Sequence, residues 1–361
     1  MDFLKDFEKT VSKLDGVGGS SAPPRYWFST GNYVLNKIIS GSFFKGIPQG
    51  RITGLAGPSG AGKSFVLANV VKNAQSESAF SLVIDSENAL DDGFMTAVGV
   101  DVDTAYVYKS VTTINQVSAI VSSFINGYKK EYGDDPKAPK VIIALDSLDM
   151  LLTETEQDQY QKGGMKGDQG QRNKQLKKLL RTFVQSIKGL NISMVVTSQV
   201  YKNQDVMNGE GVWIVSDAVK FSLSQIVLLT KLKLKDTGSR DVKGIRMKCE
   251  GYKTRFTKPY QTVTIEVPYE SGMDPYSGLL EVAVEMGIVE KAGARYRLAG
   301  SDDSWYAKNI ADIAETILVK AEANREKFLE VTDVIEEDDN QGETRAQTKG
   351  RRRTKISKEN L

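Results

Sequence analysis

Apolar and polar positions along this chain fall into blocks whose period switches between that of a helix and that of a buried strand. Phe3, Leu4, Phe7, Val11 and Leu14 recur at helical spacing, which predicts a short amphipathic helix. "GVGGSSAPP" then breaks the pattern and reads as a flexible tether. A tethered helix with one apolar stripe must dock, on its own core or on a neighbouring subunit, and the neighbour is the favoured reading. From Arg51 to about Asp236 strands and helices alternate. The strands are "RITGLAG", "AFSLVID", "KVIIALD", "ISMVVTSQ" and "QIVLLTKLKLK"; the helices are "SFVLANVVKNA", "TINQVSAIVSSFINGYKK" and "NKQLKKLLRTFVQSIKGL". Strands that are apolar throughout, separated by amphipathic helices, predict an α/β core: a mostly parallel sheet with helices on both faces.

"IRMKCEGYK" and "YQTVTIEVPYE" follow without an intervening helix and read as a hairpin that extends the sheet antiparallel. After "SGMDPYSG" the pattern becomes helical in "LLEVAVEMGIV" and "AKNIADIAETILVKAEANREKFLEVTDVI", which predicts a small C-terminal α+β domain. The last block alternates an acidic run with a basic one and is nearly free of apolar residues, so it is expected to be disordered. The expected division is 1–24 for the helix and linker, 25–270 for the core, 271–331 for the small domain and 332–361 for the charged tail. Two segments inside the core fit neither period, "TETEQDQYQKGGMKGDQGQRN" and "VYKNQDVMNGEGVWIVSD". Irregular loops of that length within a compact domain are usually functional or disordered.

Composition narrows the chemistry. No apolar run approaches the about 18 residues that a membrane span needs, and the charged N-terminus does not read as a secretory signal. The one cysteine, Cys249, fits a reducing compartment. The chain has no histidine, which excludes Ser-His and Cys-His nucleophilic catalysis and the usual His-bearing zinc sites. A formal net charge of +2 requires any nucleic-acid surface to be local rather than global.

The candidate chemistry centres on Gly57, Pro58, Ser59, Gly60, Ala61, Gly62, Lys63 and Ser64, with Phe65 following. They match G-x-x-x-x-G-K-[ST] between a predicted strand and a predicted helix, the context in which that motif cradles a nucleotide's phosphates. Lys63 is expected to reach the β- and γ-phosphates, and the Ser64 hydroxyl to ligate Mg²⁺. Asp146 ends the "KVIIALD" strand, where it can orient magnesium; a strand-end aspartate can also simply cap the next segment. Glu87 ends a different strand and can polarise a water for in-line attack on the γ-phosphate. Gln199 ends "SMVVTSQ", placed to sense the γ-phosphate or to cap the strand exit.

In order and spacing, "STGNYVLNKIISG", the phosphate loop, "IDSENALDDGFMTAVGVD", "IIALDS", "VVTSQ", "DAVKFSLS" and "GMDPYSGLLEVAVEMGIVEKAGARYRL" resemble the RecA-type recombinases, most closely the phage UvsX branch. The resemblance runs from about Trp27 to Val331. It implies a RecA-like core with an N-terminal oligomerisation helix, ATP and Mg²⁺ as ligands, and Glu87 as the catalytic glutamate. It puts Asp91 and Phe94 at the adenine, with Phe where Tyr is more familiar. Lys253 and Arg255 fall where the family reaches across the subunit interface to the neighbour's ATP.

The two irregular segments correspond to the family's two DNA-binding loops. Lys162, Lys166, Arg172 and Lys174 near the first, and Lys202 and Lys220 beside the second, are candidate phosphate contacts. Gly163, Gly164, Gly167, Gly209 and Gly211 allow close backbone approach. Met165, Met207, Val212, Trp213 and Ile214 are apolar residues in polar surroundings, available to stack on bases at about 1–3 kcal/mol each or to anchor the loops.

The expected activity is a DNA-dependent ATPase coupled to non-covalent strand exchange. The partners would be single-stranded DNA, homologous duplex and further copies of the chain in a helical filament. The resemblance adds a single-strand-binding protein, a mediator, and a phage protein's place in the bacterial host cytoplasm. A hexameric helicase with the same core is the alternative, although the stretch before the phosphate loop reads as helix and linker rather than a collar. A non-catalytic ATP-gated paralogue is disfavoured by Glu87, and ABC transport by the lack of an L-S-G-G-Q signature.

Overall fold

The computed structural model describes residues 2–13, 23–164, 170–202, 213–234 and 241–325. Leu14, most of the tether, Met165, Lys166, Gly167, Met207, Gly209, Gly211, Val212, the end of the last predicted helix and the charged tail lie outside them. The chain begins with α1 (Asp2–Val11), β1 (Trp27–Phe28), α2 (Tyr33–Ser40) and β2 (Ile47–Pro48). The core continues through β3 (Ile52–Ala56), α3 (Lys63–Ser76), β4 (Phe80–Asp85), α4 (Asp92–Val98), β5 (Tyr106–Ser110), α5 (Ile114–Tyr132) and β6 (Val141–Asp146). Then come α6 (Glu154–Gln161), α7 (Gln171–Ser186), β7 (Ile192–Ser198), β8 (Val200–Lys202), β9 (Trp213–Val215), α8 (Asp217–Ser222), β10 (Gln225–Leu234), β11 (Gly244–Lys253) and β12 (Thr262–Pro268). The C-terminal part holds α9 (Leu279–Glu285), β13 (Val289–Ala292), β14 (Arg295–Leu298), β15 (Ser304–Tyr306) and α10 (Ile310–Ala323).

The main sheet has eight strands in the order β12-β11-β10-β3-β7-β6-β4-β5. From β10 to β5 all neighbours are parallel, and β11 and β12 add an antiparallel hairpin at one edge. Both expectations hold. The period of two along the strands splits the core in two. Leu55, Val83, Ile142, Ala144 and Val195 join a cluster with α2, α3, α9 and α10 on one face. Ile52, Ala56, Ile84, Ile143 and Val196 join α5, α7 and α8 on the other. Burial on both faces is why these strands read as unbroken apolar runs. The C-terminal segment adds a three-stranded antiparallel sheet, while Ala314, Ile317, Leu318 and Ala321 of α10 belong to the first-face core.

Local signals fix the helix ends. Thr113 and Gln116 form a reciprocal capping box on α5, whose Ile114, Val117, Val121, Ile125 and Tyr128 give the buried stripe. Asn32 caps α2 by accepting the Leu35 N–H at 2.9 Å. Between α2 and β2 the chain turns around the buried Asn36. Its Oδ1 accepts the Thr30 N–H and hydroxyl, both at 2.8 Å, and its Nδ2 donates to Phe43 O at 3.0 Å.

The structure departs from expectation at the two irregular segments. "ETEQDQYQ" is helical, as α6, nucleated by a Thr153–Glu156 capping box. It buries none of its residues, so it lacks the apolar stripe that periodicity detects. The second segment enters and leaves its loop as the antiparallel pair β8–β9. At the N-terminus, Phe3, Leu4 and Phe7 of α1 are exposed; the helix does not bury its stripe on its own chain's described residues.

Replacing Asn36 by Ala strands the buried Thr30 N–H and Phe43 carbonyl at once, and each unmade bond costs about 1–3 kcal/mol. Asn36→Ala is expected to lose at least 2 kcal/mol, roughly, of unfolding free energy in urea titrations; an unchanged midpoint would show that the turn is held by other contacts.

Candidate nucleotide site

The phosphate loop leaves β3, all of whose residues are buried, and enters α3. Gly57 is obligatory on steric grounds: a Cβ there would stand 2.4 Å from Leu229 O. Gly60 and Gly62 have φ of 67° and 93°, values that favour glycine. No side chain caps the N-terminus of α3, so its first N–H groups and the helix dipole face the loop, as an anion requires. Lys63 is 8% exposed, and its ammonium donates to Gly57 O and Pro58 O at 3.0 Å each. Burial pulls its pKa down, while the Asp146, Glu87 and Asp149 carboxylates oppose that and Lys231 adds to it. Lys63, Asp146 and Glu87, singled out in sequence, are thus brought within electrostatic reach of one another.

The parallel sheet makes this convergence possible, because β3, β7, β6 and β4 are neighbours and end on the same edge. Asp146, 1% exposed, ends β6; its Oδ1 accepts the Thr197 hydroxyl of β7. Its Oδ2 has no hydrogen bond of ordinary geometry, although the Ser64 hydroxyl is close enough to draw its pKa down. Burial outweighs both hydroxyls and holds the Asp146 carboxyl above its ordinary value, with Glu87 and Asp85 contributing in the same direction. A buried carboxylate oxygen without a partner, next to a serine hydroxyl, fits a hard divalent cation that takes its remaining ligands from water and phosphates. Among the described residues no group of three or more His, Cys, Asp or Glu gathers to hold a metal alone, so Ser64 and Asp146 are the residues that would hold Mg²⁺.

Glu87 is exposed and accepts the Ser147 hydroxyl at 2.5 Å. The turn that carries it is built on Asp85, which the sequence reading passed over. Asp85 is fully buried and accepts Glu87 N–H at 2.8 Å, Leu90 N–H at 2.9 Å and the Tyr108 hydroxyl at 3.1 Å. Ser86 ties the β4 and β6 exits together: its hydroxyl donates to Ser147 O at 2.8 Å and accepts Ser147 N–H at 2.9 Å. Lys231 was also passed over; a Cβ on Gly60 would lie 2.5 Å from its Nζ, so this ammonium overlies the loop. Asp85 and Lys231 sit in strand patterns, where a lone charge gives no signal of direction.

The remaining candidates fall in three places. Asp91 caps α4, accepting Phe94 N–H at 2.8 Å, and Phe94 packs partly buried on the first-face core. Lys253 pairs in register with Ile226, which pairs with Gly54, so β11 carries Lys253 and Arg255 away from the phosphate-loop edge. The Lys253 ammonium donates to Lys220 O at 2.6 Å; burial and its Arg255 and Lys220 neighbours pull its pKa down. At the first loop, Lys162 ends α6, and Gly163 and Gly164 close its C-terminus through bonds to Tyr160 O and Gln159 O. Arg172 donates to the main-chain carbonyls of residues 148, 149 and 151. Lys174 and Lys220 are exposed, and Lys202, Trp213 and Ile214 lie on the β8–β9 pair. Gln199 follows β7, and its N–H donates to Asp149 Oδ2 at 2.6 Å.

A glycine-lined loop between a buried strand and a helix, with a strand-end aspartate and a glutamate beside its lysine, defines a phosphate-loop nucleoside triphosphatase on an α/β sheet. Comparison refines the class. The model of the RecA N-terminal domain matches residues 5–274. A RecA protein of Clostridioides difficile is 28% identical over 330 residues, covering 90% of this chain and 84% of its own. RecA proteins of Frankia alni and Saccharopolyspora erythraea are 25% and 27% identical over 287 residues, covering 79% of this chain and 77% of theirs. The chain belongs to the RecA family, whose members are DNA-dependent ATPases of recombination and repair that use ATP with Mg²⁺.

Asp146 gives a test with a sign. Because its folded pKa is raised, the stability it contributes is present below the ordinary carboxylate value of 3.8 and is lost as pH rises through the folded value. Asp146→Asn is expected to melt a few degrees higher than the wild type at neutral pH without nucleotide, to lack that pH-dependent loss, and to lose Mg²⁺-dependent ATP turnover. Differential scanning calorimetry across pH, with an ATPase assay, checks all three.

Proposed function

We propose that this protein is an ATP-dependent DNA strand-exchange recombinase that forms filaments on single-stranded DNA. The observation that carries the reading is the common origin of chemistry and loops. The first irregular segment starts at Thr153, a short link after Asp146, and the second starts directly after Gln199; Asp146 ends β6 within electrostatic reach of Lys63, and Gln199 follows the neighbouring strand β7. In this reading Gly57 to Phe65 cradle the triphosphate, with Asp91 and Phe94 at the adenine. Ser64 and Asp146 hold Mg²⁺, which when bound neutralises charge on the β- and γ-phosphates. Glu87, oriented by Ser147, takes the proton of the attacking water, and Gln199 responds to the γ-phosphate.

Two surfaces support assembly. Lys253 and Arg255 stand away from their own chain's phosphate loop, which suits a contribution to a neighbour's ATP. The exposed Phe3, Leu4 and Phe7 of α1 suit docking on the next subunit. Single-stranded DNA and homologous duplex are the proposed substrates. The finer assignment to the phage UvsX branch, acting in bacterial cytoplasm with a single-strand-binding protein and a mediator, rests on the ordered sequence segments. Among the described residues no helix is long and apolar enough to cross a membrane.

Glu87→Gln keeps the shape of the site and removes the base. It is expected to bind ATP and single-stranded DNA like the wild type while turnover falls by about 10²-fold or more; turnover within a few-fold of wild type removes Glu87 from this role. Deletion of residues 1–24 is expected to leave a folded ATP-binding core that no longer forms long filaments on single-stranded DNA, read by light scattering and electron microscopy. DNA-stimulated turnover without directional unwinding separates this reading from a helicase.

A further inference from the structure

The entrance of the first irregular segment is held from three directions. Leu148 N–H donates to Thr197 O at 3.0 Å. Leu152 bridges to the α5 start, donating to Thr112 O at 2.9 Å and accepting Ile114 N–H at 3.0 Å. The third hold comes from the far end of the segment: Arg172, in the first turn of α7, donates through Nε to Leu151 O at 2.8 Å, through Nη2 to Leu148 O at 3.2 Å, and to Asp149 O. One guanidinium therefore gathers the carbonyls of residues 148, 149 and 151 at the segment's entrance from a position at its exit. A planar group with five donors can do this, whereas a lysine's point charge cannot hold the same fork.

The clamped residue Asp149 also faces the other way. Its carboxylate accepts the Gln199 N–H at 2.6 Å, and it lies near enough to Lys63 to raise the lysine's pKa. Asp149 and Arg172 thus join four points: the phosphate-loop lysine, the main chain of Gln199, and the entrance and exit of the first irregular segment. Gln199 is also the last residue before β8, where the second segment starts.

We propose that Arg172 and Asp149 are positioning residues that make the Gln199 main chain and the first segment's entrance move as one body, coupling nucleotide state to affinity for single-stranded DNA. The inference rests on the recombinase reading and replaces the expectation that Arg172 is a phosphate contact. Energetically it is a coupling between two sites. Removing either residue leaves both sites built but lets each respond alone.

The test uses full-length protein and a fluorescently labelled oligo-dT, titrated at fixed salt with and without saturating Mg²⁺–ATPγS. The ratio of the two affinities is the readout. Wild type is expected to bind about tenfold or more tighter with the nucleotide. Arg172→Ala and Asp149→Ala are each expected to bring that ratio within about threefold of unity, and the double variant to go no further, as members of one unit do. Asp149→Asn keeps an acceptor for the Gln199 N–H and is expected to retain most of the ratio. If Arg172→Ala instead weakens binding equally in both conditions and lowers the salt slope by about one, Arg172 touches phosphate and the proposal is overturned. A ratio unchanged in both variants also overturns it. Should Arg172→Ala not fold, Asp149→Ala and Arg172→Lys carry the same comparison. A wild-type ratio of one would sink the recombinase reading itself, a result distinguishable from failure of the coupling.

Discussion

The site depends on keeping a carboxylate charged inside the protein. Asp146 is almost fully buried at the end of a central strand, with Asp85 and Glu87 near enough to raise its pKa further. Several kcal/mol of desolvation and repulsion would ordinarily neutralise such a group. The surrounding sequence answers with donors. Thr197 and Ser64 serve Asp146, Ser147 serves Glu87, and two backbone N–H groups with the Tyr108 hydroxyl serve Asp85. Lys63 is the buried cation against which these charges are set, and the Asp146 and Glu87 carboxylates hold its pKa up against burial. The hydroxyl-rich strand exits of β4, β6 and β7 are therefore an electrostatic requirement of gathering Glu87, Asp146 and Lys63 at one edge of the sheet.

That requirement also shows what could be read beforehand. The phosphate loop, the two strand-end carboxylates and the parallel sheet with its antiparallel hairpin were legible because each carries a periodic or spaced signal: glycines at fixed offsets, apolar runs of strand length, and charge breaking an apolar run. Asp85 was not, because an aspartate one strand position from the turn looks the same whether it faces the solvent or organises a loop. Thr197 and Ser147 were invisible for a related reason, since a hydroxyl in or just after a buried strand is common and its partner lies at the exit of another strand. Helix α6 escaped because capping, not burial, creates it. The two-residue strands β1 and β2 are too short for any period to register. The carbonyl contacts of Arg172 were equally hidden: composition marks it as a cation in a polar loop, and its partners at residues 148, 149 and 151 carry no signal that would pair them with it.

Much of the remaining surface becomes intelligible once the direction of the sheet is considered. Parallel strands put every group at their C-terminal ends on one edge, where Lys63, Glu87, Asp146 and Gln199 collect. The antiparallel β11 reverses that sense, so its C-terminal end delivers Lys253 and Arg255 away from the same edge. A fold of this kind cannot complete a phosphate site with those two cations from within one chain. It can do so by repeating, with the reversed strand of one copy set against the parallel edge of the next, a heterologous contact that propagates unless its rotation closes. The apolar stripe left uncovered on α1 points to the same solution from the other end of the chain. On the proposed reading, assembly and hydrolysis are then not separate properties: the same hairpin that widens the sheet makes an isolated protomer's ATP site short of positive charge, and the next protomer supplies it.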